Sequence, residues 1–328
     1  MMRGNPTIEY SVIIRTTGQA GQKYRCLLDA IAGLIPQPRE VIVVLPEGYS
    51  KPQEQLGWET FYFCPKGMVT QRLYGINQCR TPYALITDDD ISFSSDFVTK
   101  LHAPLCCGEY GISAGPLLEF FPRKGLPTIA SVLTGASGPT IFHKHRYNTV
   151  WRTTGYCFNR NIKEGQLYET QSAPWTCFYA DIEKLRSIRF EDEFWLDRNG
   201  YAAHDDTAMF YKAWIRGIKT VIVADAHYEH LDAKTSTRFN QEKPMYAAGF
   251  NHVVFWHRFL SGNTFFQRVW SRLCISYRLS LQRLYNRLNV VRGRVTKQEI
   301  SAFNRGIRDG WQWLQTEEYQ TLPPVLEK

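Results

Sequence analysis

Two rhythms of apolar and polar positions run along this chain. Ser11-Val12-Ile13-Ile14-Arg15 is a β-branched run closed by Thr16-Thr17-Gly18, and Val41-Ile42-Val43-Val44-Leu45 is another, broken by Pro46-Glu47-Gly48. Such runs predict buried strands. Between them Leu27, Leu28, Ile31 and Leu34 recur at helical spacing until Pro36 and Pro38 stop the helix. The strand–helix–strand order predicts a βαβ unit of a parallel sheet. Phe61-Tyr62-Phe63 predicts a short strand, and Val69 to Cys79 a helix with Leu73 and Ile76 on one face. A further apolar run, Tyr83 to Thr87, ends abruptly in Asp88-Asp89-Asp90.

The middle, Gly108 to about Arg160, is rich in Gly, Pro and Thr and shows no clear period. Strands are predicted again at Cys177 to Ala180 and Thr220 to Val223, with short helices at Glu183 to Arg186 and Thr207 to Arg216. The second helix follows His204-Asp205-Asp206, and the last strand leads to His227 and His230. From Phe265 to Leu288, Phe266, Val269, Trp270, Leu273, Tyr277, Leu281, Leu284 and Leu288 form one helical stripe, with Arg268, Arg272, Arg278 and Arg283 off it. Much of this stripe is expected to pack on the rest of the protein. The Arg-rich side, with Trp270 and the Phe residues, suits an anionic membrane surface.

Three carboxylates at the end of a buried strand conflict with burial and with one another. A divalent cation removes the conflict and can hold a diphosphate. An acidic turn capping a helix is the competing reading, since Asp also favours turns. The residues alone leave both open. Strand ends in open α/β sheets gather function, so Thr16, Glu47 and Asp88 to Asp90 are expected along one crevice.

Composition bounds the rest. The chain has 328 residues, 44% apolar and 21% charged, as in an ordinary globular protein of one large domain with an appendage, or of two domains. An excess of eight positive charges suits phosphate-bearing ligands or an anionic membrane and does not by itself indicate nucleic acid. Eight cysteines without C-x-x-C spacing read as buried reduced thiols. Met1 to Tyr10 lacks a signal-peptide core, and no run reaches the ~18–20 apolar residues of a membrane span. The default expectation is a cytoplasmic protein, at most at the inner face of the cytoplasmic membrane.

Three segments in order resemble glycosyltransferase family 2, of the bacterial surface-polysaccharide type with the GT-A fold. The first joins Ser11 to Thr17 with Glu40-Val41-Ile42-Val43-Val44. The second joins Gln71-Arg72-Leu73-Tyr74-Gly75-Ile76-Asn77 with Tyr83 to Asp90. The third joins Phe190 to Phe194, Asp205 to Lys212, Gly217 and His230. The resemblance spans about the first 235 residues. It implies an α/β fold with a mostly parallel central sheet flanked by helices. Residues 1–235 would form the catalytic domain, with a donor half to about 100, and residues 236–328 a basic helical extension.

The resemblance also implies roles. The activity would be metal-dependent, inverting transfer of a sugar from a nucleoside diphosphate, UDP or dTDP, to a glycan or lipid-linked glycan in cell-surface polysaccharide synthesis. Asp90 and His230 would hold Mn²⁺ or Mg²⁺, with Asp88 on the ribose or in the metal shell. Strand alternation would turn Asp88 and Asp90 to one side. Thr16, Glu47, Arg72 and Asp89 would line the donor, and Asp206, or else Asp205, would be the general base. Trp175 and Trp195 would stack on acceptor sugars. Departures occur at Arg15, where the family has Pro, at Leu45-Pro46-Glu47-Gly48, where it has Asp-Asp-Gly-Ser, and at Lys212, where Arg is commoner. Two other readings remain. A non-enzymatic basic module for nucleic acid or anionic lipid leaves the ordered acids unexplained. A nucleotidyltransferase would need a better Gly-rich loop than Thr16 to Gly21.

Overall fold

The computed structural model describes residues 8–142, 144–231 and 241–326. In chain order the first part runs β1 (Tyr10–Arg15), α1 (Gln22–Ala32), β2 (Glu40–Pro46), β3 (Thr60–Cys64), α2 (Met68–Gln78), β4 (Tyr83–Asp88), β5 (Ile91–Phe93) and α3 (Phe97–His102). The irregular middle holds β6 (Ile112–Ala114), α4 (Leu126–Leu133), β7 (Ser137–Pro139), β8 (Asn148–Val150), β9 (Tyr156–Phe158) and β10 (Leu167–Thr170). Then come β11 (Cys177–Asp181), α5 (Ile182–Ser187), α6 (Asp205–Ile215), β12 (Thr220–Val223) and β13 (Tyr228–His230). The chain closes with α7 (Glu242–Phe255), α8 (Phe265–Val291), α9 (Lys297–Trp313) and α10 (Glu317–Gln320).

Eight strands form the central sheet in the order β10-β12-β6-β11-β4-β1-β2-β3. β4, β1, β2 and β3 run parallel, as do β6 and β12, while β11 and β10 are antiparallel insertions. The sheet is therefore mostly parallel and buried on both faces, as its unbroken Val and Ile runs require. Because β4, β1 and β2 are parallel neighbours, the residues that follow them emerge along one edge. β1 and β4 pair in the register Arg15↔Asp88, which sets these opposite charges side by side.

Two smaller sheets matter for the site. β13 pairs antiparallel with β5, placing His230 opposite Ile91. The ladder continues where the Leu231 amide donates to the Asp90 carbonyl at 2.8 Å. Strands β7, β9 and β8 form a three-stranded sheet beside α4. Each has only three residues, too few for a period of two to register in the sequence.

α2 lies close on the central sheet because Gly75 leaves room. A Cβ there would sit 2.4 Å from Ile13 Cγ2 and 3.1 Å from Val44 Cγ2. Those methyls belong to β-branched residues of central strands and cannot swing aside. Gly75→Ala gains roughly 0.8–1 kcal/mol of helix propensity but overpacks a tight contact at about 1–3 kcal/mol. A net loss is expected in urea unfolding, larger for Gly75→Val. Equal stability of wild type and Gly75→Val would show that the helix shifts freely.

The boundary expected at 235/236 lies outside the described residues. Beyond it, Phe250, Val253, Trp313 and Tyr319 join the same apolar cluster as Ile86, Phe178 and Phe210 of the body. Asn251 ties α7 down by donating to the carbonyls of Leu196 and Ala203. α8 reverses the expectation drawn from its stripe. Its inward face is Ser271, Ile275, Leu279, Asn286 and Asn289. The apolar stripe points outward, with Phe266, Trp270, Leu273 and Leu288 exposed. Hydrogen bonding explains how a partly polar face can pack inward. Ser271 Oγ donates to the Leu260 carbonyl and accepts from Trp256 Nε1. All eight cysteines are free thiols, of which Cys106 and Cys107 are exposed rather than buried. Among the described residues no helix is long and apolar enough to cross a membrane.

Candidate active site

The edge where β1, β2 and β4 end carries the acidic triplet, and its three members point to three partners. Asp88 is the last residue of β4, and residues 89 and 90 form a turn. Strand alternation therefore stops before it can align Asp88 with Asp90. Asp88 Oδ1 accepts from Arg15 Nε at 3.0 Å and from Arg72 Nη2 at 2.7 Å. Burial alone would raise its pKa, but the two guanidinium groups hold it below the usual carboxylate value. Both arginines bond the same oxygen, Oδ1. Asp89 Oδ2 accepts from Thr16 Oγ1 at 2.5 Å, and burial pushes its pKa up to about 6 against the pull of Arg15 and Thr16.

Asp90 faces His230. The β5–β13 pairing brings its Oδ1 to 3.5 Å from His230 Nε2, across 140 residues of chain. The other ring nitrogen, Nδ1, lies 3.9 Å from Glu119 Oε1. Phe120 packs edge-on against the His230 ring, with centroids 5.8 Å apart. His227 lies elsewhere, exposed and paired with Glu164 at 2.8 Å.

Arg72 is buried, at 2% exposure, not a surface residue of its helix. It bridges two acid motifs that are far apart in sequence. Beyond Asp88, its Nη1 donates to the Met68 carbonyl at 3.1 Å and reaches Asp205 Oδ2 at 3.5 Å. Its guanidinium lies over Trp175, 4.8 Å from the ring centroid. Arg72 thus organises carboxylates and does not present itself to a phosphate. Burial pulls its pKa down, with Asp88 opposing.

Asp205 and Asp206 open α6, after His204 in the left-handed region at φ 69°. A non-glycine residue held there is uncommon and marks a fixed turn. Asp205 is committed to Arg72 and to the Asp206 amide, which it accepts at 3.0 Å. Asp206 Oδ1 accepts from the Thr207 amide at 2.6 Å. Burial raises both carboxyls above their ordinary pKa, although Arg72 opposes the shift at Asp205 and Thr207 opposes it at Asp206. Only Asp206 of this pair lines the adjoining cleft, whose walls include Phe120, Phe121, Tyr147, Asn148, Tyr156 and Ser172. Phe120 therefore touches both the cleft of Asp206 and the ring of His230.

Other expected site residues lie differently. Glu47 stands exposed in the turn after β2. Trp175 is 3% exposed, with one face under Arg72 and an edge against Phe190, so it supports the site from beneath. Trp195 is a core residue. Its Nε1 donates to Glu193 at 2.6 Å and its ring packs on Trp313. Neither indole offers a free face to a sugar. Lys212 is fully buried in an ion network, donating to Glu193 at 2.8 Å and Asp192 at 3.2 Å. Sequence reasoning passed over Arg15, noted there only as a departure, and Tyr156, Asn148 and Phe120. The one available signal was the parallel register that opposes Arg15 to Asp88. The cleft residues come from the aperiodic middle and gave none.

No protein-family model matches the chain, and no curated protein matches it by sequence. Solved structures of glycosyltransferases do match in fold. Residues 1–349 of TarS from S. aureus align over 96% of this chain and 83% of that one, with 14% identity and a TM-score of 0.52. The longer TarS structure aligns over 96% and 50%, with 14% identity and a TM-score of 0.51. GalNAc-T7 with UDP, GalNAc and Mn²⁺ aligns over 84% and 56%, with 11% identity and a TM-score of 0.49. The fold is the α/β GT-A fold of glycosyltransferases.

Proposed function

We propose that the protein is a glycosyltransferase that moves a sugar from a nucleoside diphosphate, UDP or dTDP, to a hydroxyl of a glycan or lipid-linked glycan. The observation that carries this reading is the junction at Phe120. On one side lie Asp90 and His230 at the sheet edge, and on the other Asp206 in an aromatic-walled cleft. A donor held at the first and an acceptor in the second would meet there. The same reading places the work in cell-surface polysaccharide synthesis, at the inner face of the cytoplasmic membrane.

A carboxylate and an imidazole suit Mn²⁺, and Mg²⁺ less well. Among the described residues no three ligating side chains converge. A cation held by Asp90 and His230 would therefore need diphosphate oxygens and water to fill its shell. When bound, it would supply charge stabilisation for the departing nucleoside diphosphate. The chain's own residues do the rest. Arg15 and Arg72 hold Asp88, Thr16 holds Asp89, and these bonds fix the turn that aims Asp90. Asp206 takes the proton of the acceptor hydroxyl as that oxygen attacks the anomeric carbon. Attack from the face opposite the leaving diphosphate, in one displacement, inverts that centre.

The test is calorimetry with UDP and dTDP, with Mn²⁺ and with EDTA. Tighter binding with Mn²⁺ is expected, and Asp90→Ala is expected to erase the difference. Equal affinity in Mn²⁺ and EDTA would remove the metal from the mechanism. Absence of binding by any nucleoside diphosphate would remove the transferase reading itself.

A further inference from the structure

A second pocket opens on the far side of the Phe121–Phe158 ring pair from the Asp206 cleft. Phe121 lines that cleft, Phe158 lines the pocket, and the two rings stack with centroids 4.7 Å apart. Lys124 and Arg160 also line the pocket, together with Ile129 of α4. The Arg160 guanidinium lies on Phe158 and Phe121, 5.2 and 5.8 Å from their centroids. Its Nη2 is buried without a hydrogen-bond partner among the described residues. The guanidinium keeps its charge beside the pocket with no carboxylate paired to it among the described residues, and an anion in the pocket would offset that charge. α4 starts at this pocket with no side-chain cap, so its positive end faces the same way.

The surroundings say what carries the anion. α4 exposes Leu126 (80%), Ile129 and Leu133, and the chain beyond it exposes Ile141 and Phe142 (86%). α8 joins this face, for Tyr277 Oη donates to the Leu133 carbonyl and Arg278 to the Thr134 carbonyl. It adds Phe266 (81%), Trp270 and Leu273. This exposed apolar surface belongs to chain that is free of acids. Residues 120–163 contain seven Lys or Arg and no Asp or Glu, and α8 has five Arg and no acid.

We propose that this pocket seats a phosphate carried by a lipid, and that α4, residues 141–142 and α8 form the face that meets an anionic bilayer. Charge decides between lipid and a second copy of the chain. In a two-fold dimer this face would meet itself, arginine against arginine, with no carboxylate from these segments to pair. Anionic headgroups pair with all of them, and the aromatic side chains suit the interface. A lipid phosphate in the pocket would stand one ring pair away from the Asp206 cleft, the position of a carrier for the acceptor. In naming that lipid as the acceptor's carrier, the inference rests on the transferase reading.

The experiment uses the full chain and farnesyl phosphate as probe. Wild type is expected to bind it at least ten-fold more tightly than inorganic phosphate. Lys124→Gln and Arg160→Gln should each weaken binding on the order of ten-fold, the size of one charge-assisted hydrogen bond. Lys124 is exposed, so its replacement leaves the fold intact. Phosphatidylglycerol vesicles should sediment with wild type, and phosphatidylcholine vesicles should not. Phe142→Glu and Trp270→Glu should abolish that co-sedimentation. Overturning results are farnesyl phosphate binding no tighter than phosphate, or unchanged by Lys124→Gln. A wild type that ignores anionic vesicles and forms a dimer split by Trp270→Glu overturns it too. UDP titration of the same samples separates the two ideas, because its failure strikes the transferase reading and leaves lipid-phosphate binding standing.

Discussion

Asp206→Asn is expected to lower sugar transfer by roughly 10²–10⁴-fold while leaving nucleotide affinity near wild type. The amide has the size of the carboxylate and still accepts from the Thr207 amide, so the start of α6 keeps its shape. It cannot take a proton. Asp90 and His230, proposed for the donor, lie on other elements, so binding survives. Asp205→Asn should differ, because Asp205 is turned to Arg72 and does not line the cleft. Its loss should act through the position of Arg72 and Trp175 and cost less. Paired assays of transfer and nucleotide binding on both variants decide the matter. An inactive Asp205→Asn beside an active Asp206→Asn would exchange the roles.

The same carboxylate sets a pH dependence. Burial raises the Asp206 pKa. A raised pKa keeps the proton on the base to higher pH, so activity is lost as pH falls through that raised value. The acid limb of kcat/KM should therefore lie above the ordinary aspartate value of about 3.9. A limb at or below 4 would mean that the base is a solvated carboxylate and not this one.

Much of this arrangement was legible in the sequence, and the reason differs from element to element. β1, β2 and β4 were readable because strands buried on both faces are unbroken apolar runs, and α1 because Pro36 and Pro38 end it. Their parallel order was enough to put Thr16 and Asp88 to Asp90 on one edge. What the acids touch was not readable. Asp88 looked equivalent to Asp90 by spacing, but the strand ends at Asp88 and the turn sends each carboxylate elsewhere. Its hydrogen-bond partners, Arg15 and Arg72, sit 73 and 16 residues away. The cleft was hidden for another reason. β7, β8 and β9 have three residues each, so Tyr156 and Asn148 carried no periodic signal. α8 misled because an apolar stripe normally marks the inward face. Here Ser271 bonds to Trp256 and the Leu260 carbonyl, and Ile275 and Leu279 pack inward beside it, which leaves the stripe outside.

The largest stability effect is expected at a residue with no place in the chemistry. Glu193 is fully buried and accepts from Lys212 Nζ at 2.8 Å, Arg258 Nη2 at 2.7 Å and Trp195 Nε1 at 2.6 Å. Lys212 lies on α6, a turn and a half after Asp206, and Arg258 follows α7. This carboxylate therefore binds the C-terminal helices to the helix that presents the proposed base. Glu193→Leu is close in size but leaves Lys212 and Arg258 without their shared counter-ion. Removing one partner of a buried ion pair typically costs about 3–5 kcal/mol. Asp192 and the Arg189 carbonyl still touch Lys212, which points to the lower end of that range. Against a typical total of about 5–15 kcal/mol, this is a large fraction. Urea unfolding should show it. Adding Lys212→Met should recover part of the loss, since the double variant removes a stranded charge along with its partner. If Glu193→Leu unfolds within 1 kcal/mol of wild type, about the effect of an ordinary substitution, the network contributes no net stability and α6 is held by packing alone.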